Sequence, residues 1–184
     1  MGYQGPPTHD MRNAVSVLDC RQELMVGADL LALGAALQVG TVNWVTANQA
    51  FYIPFTVMLP STAFKLGVVN SATGAGNVDM GIYNPDGTKV VSMGSTAVVV
   101  AAAWQWLNIA DTLLVPGLYY LGVCFDTSGA TNKPPVWYNM LAYALALMGV
   151  RNEAAAFPLP SPATFVQPTA VSIPWVAVAF RAVP

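Results

Sequence analysis

The sequence predicts an all-β protein: an antiparallel β-sandwich of jelly-roll type over residues 41–184, preceded by an extended N-terminal arm over residues 1–40. Three observations favour this fold class. From Thr41 onward, β-branched and aromatic residues dominate the chain. Glycine, proline, asparagine and aspartate interrupt them at short intervals, as turns between strands do. In the stretch 78–83, large apolar residues occupy every second position, which is the two-residue period of a β-strand.

The N-terminal 40 residues are predicted to form a contact for assembly and not a part of the sandwich. Gly5-Pro6-Pro7 is a stiff, extended opening. The leucines between Leu24 and Leu37 suit a short helix, although Gly27 and Gly34 each disfavour a helix by about 1 kcal/mol relative to alanine. An arm with a short helix and an arm without one both remain open.

The first three strands are predicted at residues 51–59, 65–70 and 78–83. Pro54 lacks the N–H that a central strand donates, which places the first strand at a sheet edge or at a bulge. In the third strand one face is predicted to be core and the other not. The core face carries Val78, Met80 and Ile82, and the opposite face carries Asp79, Gly81 and Tyr83.

The strongest local signal is the turn Asn84-Pro85-Asp86-Gly87. Proline fixes φ at the first central position, aspartate suits the next, and glycine takes the left-handed position that returns the chain. Residues 89–92 are therefore predicted to pair back on the third strand. Further strands are predicted at 97–103, 104–109 and 118–125, with Asp111 and Pro116-Gly117 in the connection between the last two.

The C-terminal third contains three segments of different character. Val136 to Met148 is apolar on all sides and fits a buried strand as well as a buried helix. Residues 157–168 contain four prolines and predict an extended stretch that cannot join a central strand. Residues 173–181 predict a terminal strand, which pairs either within the sandwich or with a neighbouring copy.

The low charge of the chain predicts that much of its surface is buried in an assembly. Only 9% of the residues are charged and 55% are hydrophobic, whereas soluble domains carry about 25% charged residues. No apolar run is long enough to cross a bilayer, so membrane insertion is not expected. The stretches between Asp29 and Lys65 and between Glu153 and Arg181 contain no charge and are the expected contacts.

Residues suited to catalysis, metal binding or nucleic-acid binding are sparse. His9 is the only histidine and lies in the arm, so we expect no enzyme and no cofactor. No two basic residues are adjacent, which argues against nucleic acid as a partner. Cys20 and Cys124 are expected to be buried free thiols in preference to a disulfide. A calcium site would need several aspartates to converge. The aspartates considered for such a site are Asp79, Asp86, Asp111 and Asp126.

The candidate binding residues are aromatic: Trp104, Trp106, Trp137 and Tyr138. Trp104 and Trp106 share one face of a predicted strand, and the four rings together could form a flat platform that stacks on sugars. The alternative is that they fill the core or a subunit contact, where each aromatic buries about 150–250 Å². Core or interface packing is the more economical interpretation.

Three runs carry a resemblance to a known class of protein. Residues 76–87, the run Pro116-Gly117-Leu118-Tyr119-Tyr120-Leu121 and the run Phe157-Pro158-Leu159-Pro160 together resemble a β-sandwich module of tailed-bacteriophage and prophage structural proteins. The same pattern also resembles jelly-roll carbohydrate-binding modules.

The phage resemblance implies a non-enzymatic virion protein, assembled in the host cytoplasm. Capsid decoration is the first expectation, and a tail or fibre component is the alternative. The resemblance also implies a homo-oligomer, and the phage analogy suggests a trimer. It further implies that the protein docks on other virion proteins such as the major capsid protein. The second resemblance implies a carbohydrate-binding module that contacts host surface glycans.

Overall fold

The computed structural model describes residues 46–70, 75–99, 104–127, 146, 148–168 and 176–182. The predicted arm and helix of residues 1–40, together with Trp137, Tyr138, His9 and Cys20, lie outside these residues. Of the segment 136–148 only Ala146 and Met148 are described, and neither belongs to a strand.

Within the described residues the chain forms nine strands. They are β1 (Ala50–Val57), β2 (Ser61–Val69), β3 (Asn77–Tyr83), β4 (Lys89–Ser92), β5 (Thr96–Ala97), β6 (Trp104–Leu114), β7 (Gly117–Phe125), β8 (Arg151–Glu153) and β9 (Val176–Ala182). The larger sheet has the order β4-β3-β7-β1-β8, with β5 also paired to β3, and the smaller sheet has the order β6-β2-β9. All of these pairs are antiparallel, which confirms the predicted all-β antiparallel sandwich.

The main core lies between the two sheets. The larger sheet contributes alternate residues such as Phe51, Met80 and Leu121, and the smaller sheet contributes Leu66 and Val178. All five are fully buried, as expected for the inward-facing residues of a sandwich.

The prediction for Pro54 is confirmed. Among the described residues, β8 pairs only with residues 50–52 of β1, while β7 pairs with all of β1 on its other side. Within this part of the chain Pro54 therefore lies on the section of β1 that is a sheet edge, where its missing N–H breaks no strand pairing. The terminal strand β9 pairs with β2 of the same chain, which decides between the two pairings left open by the sequence.

The turn at residues 84–87 is also confirmed. Gly87 has φ +86° and its N–H donates to Asn84 O at 3.0 Å, and Thr88 N–H donates to Asp86 Oδ1 at 2.8 Å. The strand that follows pairs back on β3, with a register shift next to Tyr83.

Two strand boundaries differ from the prediction. The strand expected at 97–103 is only the two-residue β5. β6 continues through Asp111 to Leu114, so Asp111 lies inside a strand and not in a connection. The strand tolerates this charge because β6 and β2 lose their regular register between Ala63 and Lys65, and because Asp111 forms an ion pair with Arg181 of β9.

The prediction that the second face of β3 is not core is wrong. Asp79 is 1% exposed and Tyr83 is fully buried. The cover is the strap, which we define as residues 154–168 and which contains the predicted proline-rich stretch. It forms a second core with the outer face of the larger sheet: Ala50, Tyr52, Tyr83, Tyr120, Cys124, Ala156, Leu159 and Ala163. The sequence pattern of β3 could not reveal this cover, because the covering residues are about 80 positions away.

Candidate functional site

Two surfaces stand out in the described part of the sandwich: an aromatic face on the smaller sheet and an apolar end. The aromatic face is the outer surface of β6-β2-β9. On β6, Gln105 is buried and Leu107 and Ile109 pack against the main core. Since side chains alternate along a strand, Trp104 and Trp106 point to the outer surface.

The two indoles stack on one another above Gly67. Their ring centroids are 5.3 Å apart and their planes are inclined by 18°. This spacing is too short for two rings that lie side by side in one plane, so the rings overlap. A Cβ atom at Gly67 would lie 2.7 Å from Trp106 Cζ3 and 3.1 Å from Trp104 Cε3. The missing side chain at position 67 thus makes room for both rings.

Polar and charged side chains continue this face along the strands. Asn108 follows Trp106 on the outer side of β6 and is exposed, and Lys65 of β2 is its cross-strand partner. Farther along, the Arg181 guanidinium lies 5.3 Å from the centre of the Phe64 ring and forms an ion pair with Asp111. Indole, amide, ammonium and guanidinium groups are therefore neighbours on one sheet.

The structure does not place the predicted tryptophans in the core of the described residues. Trp104 is half-buried and Trp106 is 38% exposed. Trp137 and Tyr138, the other two members of the predicted platform, lie outside the described residues. The sequence identified the face that carries Trp104 and Trp106, but it contained no indication that this face is the outer one.

The apolar end is formed by the connections β1–β2 and β6–β7. Val57 pairs with Gly117 and Ser61 pairs with Leu114, so both connections lie at the same end of the sandwich. Five large apolar residues are exposed there: Met58 (71%), Leu59 (50%), Leu113 (58%), Val115 (58%) and Leu118 (44%).

No charged residue belongs to either segment that builds the apolar end. Residues 50–64 and 112–125 contain no aspartate, glutamate, lysine or arginine. The charges nearest along the strands, Asp111 and Arg181, pair with each other. Apolar side chains beside Pro60 and Pro116 are the sequence signal for this surface, since turns usually carry polar residues; the sequence predictions did not include it.

The strap is held on the larger sheet by side chains that bind its backbone. Asp79 Oδ2 accepts the Leu159 N–H at 3.0 Å, and the Lys89 ammonium donates to Leu159 O at 2.7 Å. Tyr83 donates its hydroxyl to Pro160 O at 2.7 Å. Because prolines lack N–H groups and the strap forms no strand, these side chains take over the hydrogen bonding that a sheet would provide.

A second carboxylate holds the far part of the strap. Glu153 Oε2 accepts the Thr164 N–H at 3.0 Å and the Tyr52 hydroxyl at 2.8 Å. Burial raises the pKa of Tyr52 and Tyr83 above the usual value of a phenol. Both hydroxyls therefore stay protonated and act as hydrogen-bond donors.

Asp79 is the least satisfied polar group under the strap. Its Oδ1 is buried and has no hydrogen-bond partner among the residues that the structure describes. Burial raises the pKa of this carboxyl, while the Leu159 N–H, the charge of Lys89 and the backbone N–H groups of Met80 and Gly94 lower it. The geometry thus gives a buried acid that is hydrogen-bonded to the strap through one oxygen.

The four aspartates considered for calcium do not converge. Asp79 lies under the strap, Asp86 in the β3–β4 turn and Asp111 on the smaller sheet, while Asp126 binds the backbone and side chain of Asn77 at 2.8 and 2.7 Å. In the part of the chain that the structure describes, no group of three histidine, cysteine, aspartate or glutamate residues could hold a metal ion.

Two smaller findings concern the thiol and the membrane. Cys124 is a buried free thiol, as predicted, and burial raises its pKa. Among the described residues there is no helix with the length and hydropathy needed to span a membrane.

No family model matches the chain, and no curated protein or solved structure matches it either.

Proposed function

We propose that the protein is a non-enzymatic structural protein that assembles with copies of itself and docks on a bacteriophage virion, as a capsid decoration or other head-associated component. Its activity is attachment. The alternative is that it is a tail or fibre component, which would attach to the particle through the same burial of apolar surface.

The observation that carries this proposal is the apolar end. Five exposed apolar side chains lie together on segments that contain no charge. Exposed patches of this kind usually mark interaction sites. Burying one leucine-sized side chain completely contributes about 1.5–3 kcal/mol, from which the entropy cost of association is subtracted. A second copy is a suitable partner because neither surface carries charges that repel.

The virion part of the proposal comes from the resemblance to phage structural proteins, and the three runs that carry this resemblance are neighbours in the fold. The turn at 84–87 follows β3, the run 116–121 enters β7, and β3 pairs with β7. The third run belongs to the strap, whose Ala163 N–H donates to Gly87 O of that turn at 2.8 Å. Three runs that are distant in sequence thus form one connected unit of the sandwich.

The direct test is the mass of the purified chain by light scattering over a dilution series. We expect a homo-oligomer at micromolar concentration, and we expect it to dissociate on dilution. If the phage analogy extends to symmetry, this oligomer is a trimer. A stable, well-behaved monomer at micromolar concentration would contradict self-assembly. Gold-labelled antibodies on particles from the source would then distinguish head from tail, and absence of label from all particles would contradict the virion assignment.

A further inference from the structure

We infer that the outer face of the smaller sheet is a glycan-binding site, with Trp106 as the stacking surface and with a ligand whose pyranose units carry carboxylate groups. The site is separate from the apolar end and does not depend on the proposed assembly.

Trp106 stands on the outer side of β6, and Trp104 covers one of its ring faces. Both indoles approach Gly67 with the same ring edge, so they stand next to each other on the sheet. Asn108 is the next residue on the outer side of β6, and Trp106 is 38% exposed. An exposed indole beside polar groups suits the C–H face of a pyranose ring.

Side chains that can form hydrogen bonds with a sugar lie beside that ring. Asn108 offers two N–H donors and a carbonyl acceptor, and Lys65 faces it across the strand pair. Sugar hydroxyls are both donors and acceptors, so an amide and an ammonium next to an indole meet their requirements. Phe64 continues the apolar surface beyond Lys65, with Arg181 above its ring.

The charges on this face favour an acidic ligand. Asp111 pairs with Arg181, so these two charges compensate each other. Lys65 forms no salt bridge with any described residue; its ammonium lies 5.8 Å from the centre of the Phe64 ring. The described part of this face therefore holds one uncompensated positive charge, although the chain as a whole has a net charge of -2. A carboxylate on the ligand would pair with it.

The test is isothermal titration of the full chain with a short uronic acid oligomer and with a neutral oligomer of the same length. We expect the acidic oligomer to bind more tightly and its affinity to fall with added salt. Trp106→Ala should weaken binding about tenfold, the effect of losing one aromatic stacking contact. Lys65→Met should remove the preference for the acidic oligomer.

Val166→Ala is the matched control, because Val166 is an exposed apolar residue of the strap, which covers the larger sheet and belongs neither to the aromatic face nor to the apolar end. It should bind like the unmodified chain. Binding of both oligomers with equal affinity, or of neither, overturns the inference, as does acidic binding that Trp106→Ala and Lys65→Met leave unchanged. If Trp106→Ala lowers the mass of the assembly and leaves glycan binding unchanged, the face is a protein contact and the inference is wrong. None of these outcomes depends on the apolar end.

Discussion

Asp79 shows how the fold changes the chemistry of a single residue. Its carboxyl is almost fully buried, one oxygen accepts no hydrogen bond from the described part of the chain, and burial raises its pKa. At neutral pH the folded protein must either hold this charge in a poorly solvated place or keep the acid protonated. Both alternatives cost free energy relative to the unfolded chain, where the carboxylate is hydrated.

We expect Asp79→Asn to stabilise the protein at neutral pH, because the amide keeps an oxygen that can accept the Leu159 N–H but has no charge that burial must desolvate. The folded-state pKa is raised, so the folded protein binds its proton first as the pH falls. The unmodified protein therefore gains stability between its raised pKa and the ordinary value near 3.9, and the advantage of the variant disappears there.

Urea unfolding of the variant and the unmodified chain across this pH range measures the effect. Glu153→Gln is a useful comparison, because Glu153 also accepts a hydrogen bond from the strap but has two donors on one oxygen. An Asp79→Asn variant that is less stable at neutral pH would mean that the charge of Asp79 stabilises the strap, contrary to this account.

At the scale of single residues, the sequence predicted the roles that local chemistry determines. Pro54 at a strand edge and Gly87 in a left-handed turn follow from the residue itself. The burial of Asp79 does not, because it depends on the strap, whose Leu159 N–H binds Asp79 from a distant part of the chain. The outward direction of Trp106 is equally non-local, since either face of β6 could have met the larger sheet.

At the scale of elements, the strap is the feature that the sequence left most incomplete. Its prolines correctly predict that it joins no central strand. They do not predict that it covers the larger sheet, because no local pattern states which surface an extended segment packs against. The β3–β4 hairpin is the opposite case, since four consecutive residues determine its turn. The length of β6 is an intermediate case. Aspartate is common in turns, so Asp111 predicted a turn, whereas in the structure it lies inside β6 and pairs with Arg181 of β9.

The contact between the strap and the β3–β4 turn can be tested at Gly87. A Cβ atom there would overlap the carbonyl oxygen of Ala163, and φ is +86°. Gly94 has a similar φ of +72°, but a Cβ atom there would meet no heavy atom within 4 Å. Gly94→Ala should therefore cost only the conformational strain, about 1 kcal/mol. Gly87→Ala should cost about 3 kcal/mol, because the strap must also move.

Urea unfolding gives both free energies, and hydrogen exchange at the Leu159 amide shows whether the strap has loosened. We expect faster exchange in Gly87→Ala and unchanged exchange in Gly94→Ala. Equal destabilisation by the two substitutions would show that the strap does not constrain the turn.

At the scale of the whole molecule, the two ends of the sandwich differ. Exposed apolar side chains concentrate where β1 meets β2 and β6 meets β7. The other end has buried polar contacts: Gln105 Oε1 accepts the Val99 N–H at 3.0 Å, and its amide donates to Ala97 O at 2.9 Å. Low overall charge predicted an assembly protein, and part of the charge-free stretch between Asp29 and Lys65 forms the apolar end. Composition alone could not say which surface that stretch would occupy.

The measurement that tests the central claim most directly is the light-scattering mass of Val115→Lys against Val99→Lys. The two valines are 58% and 57% exposed and lie at opposite ends of the sandwich, so each substitution adds the same charge at a matched position. If the apolar end is the contact between copies, Val115→Lys is a monomer at concentrations where Val99→Lys and the unmodified chain are oligomers. Oligomers of the same mass in all three proteins would contradict the account.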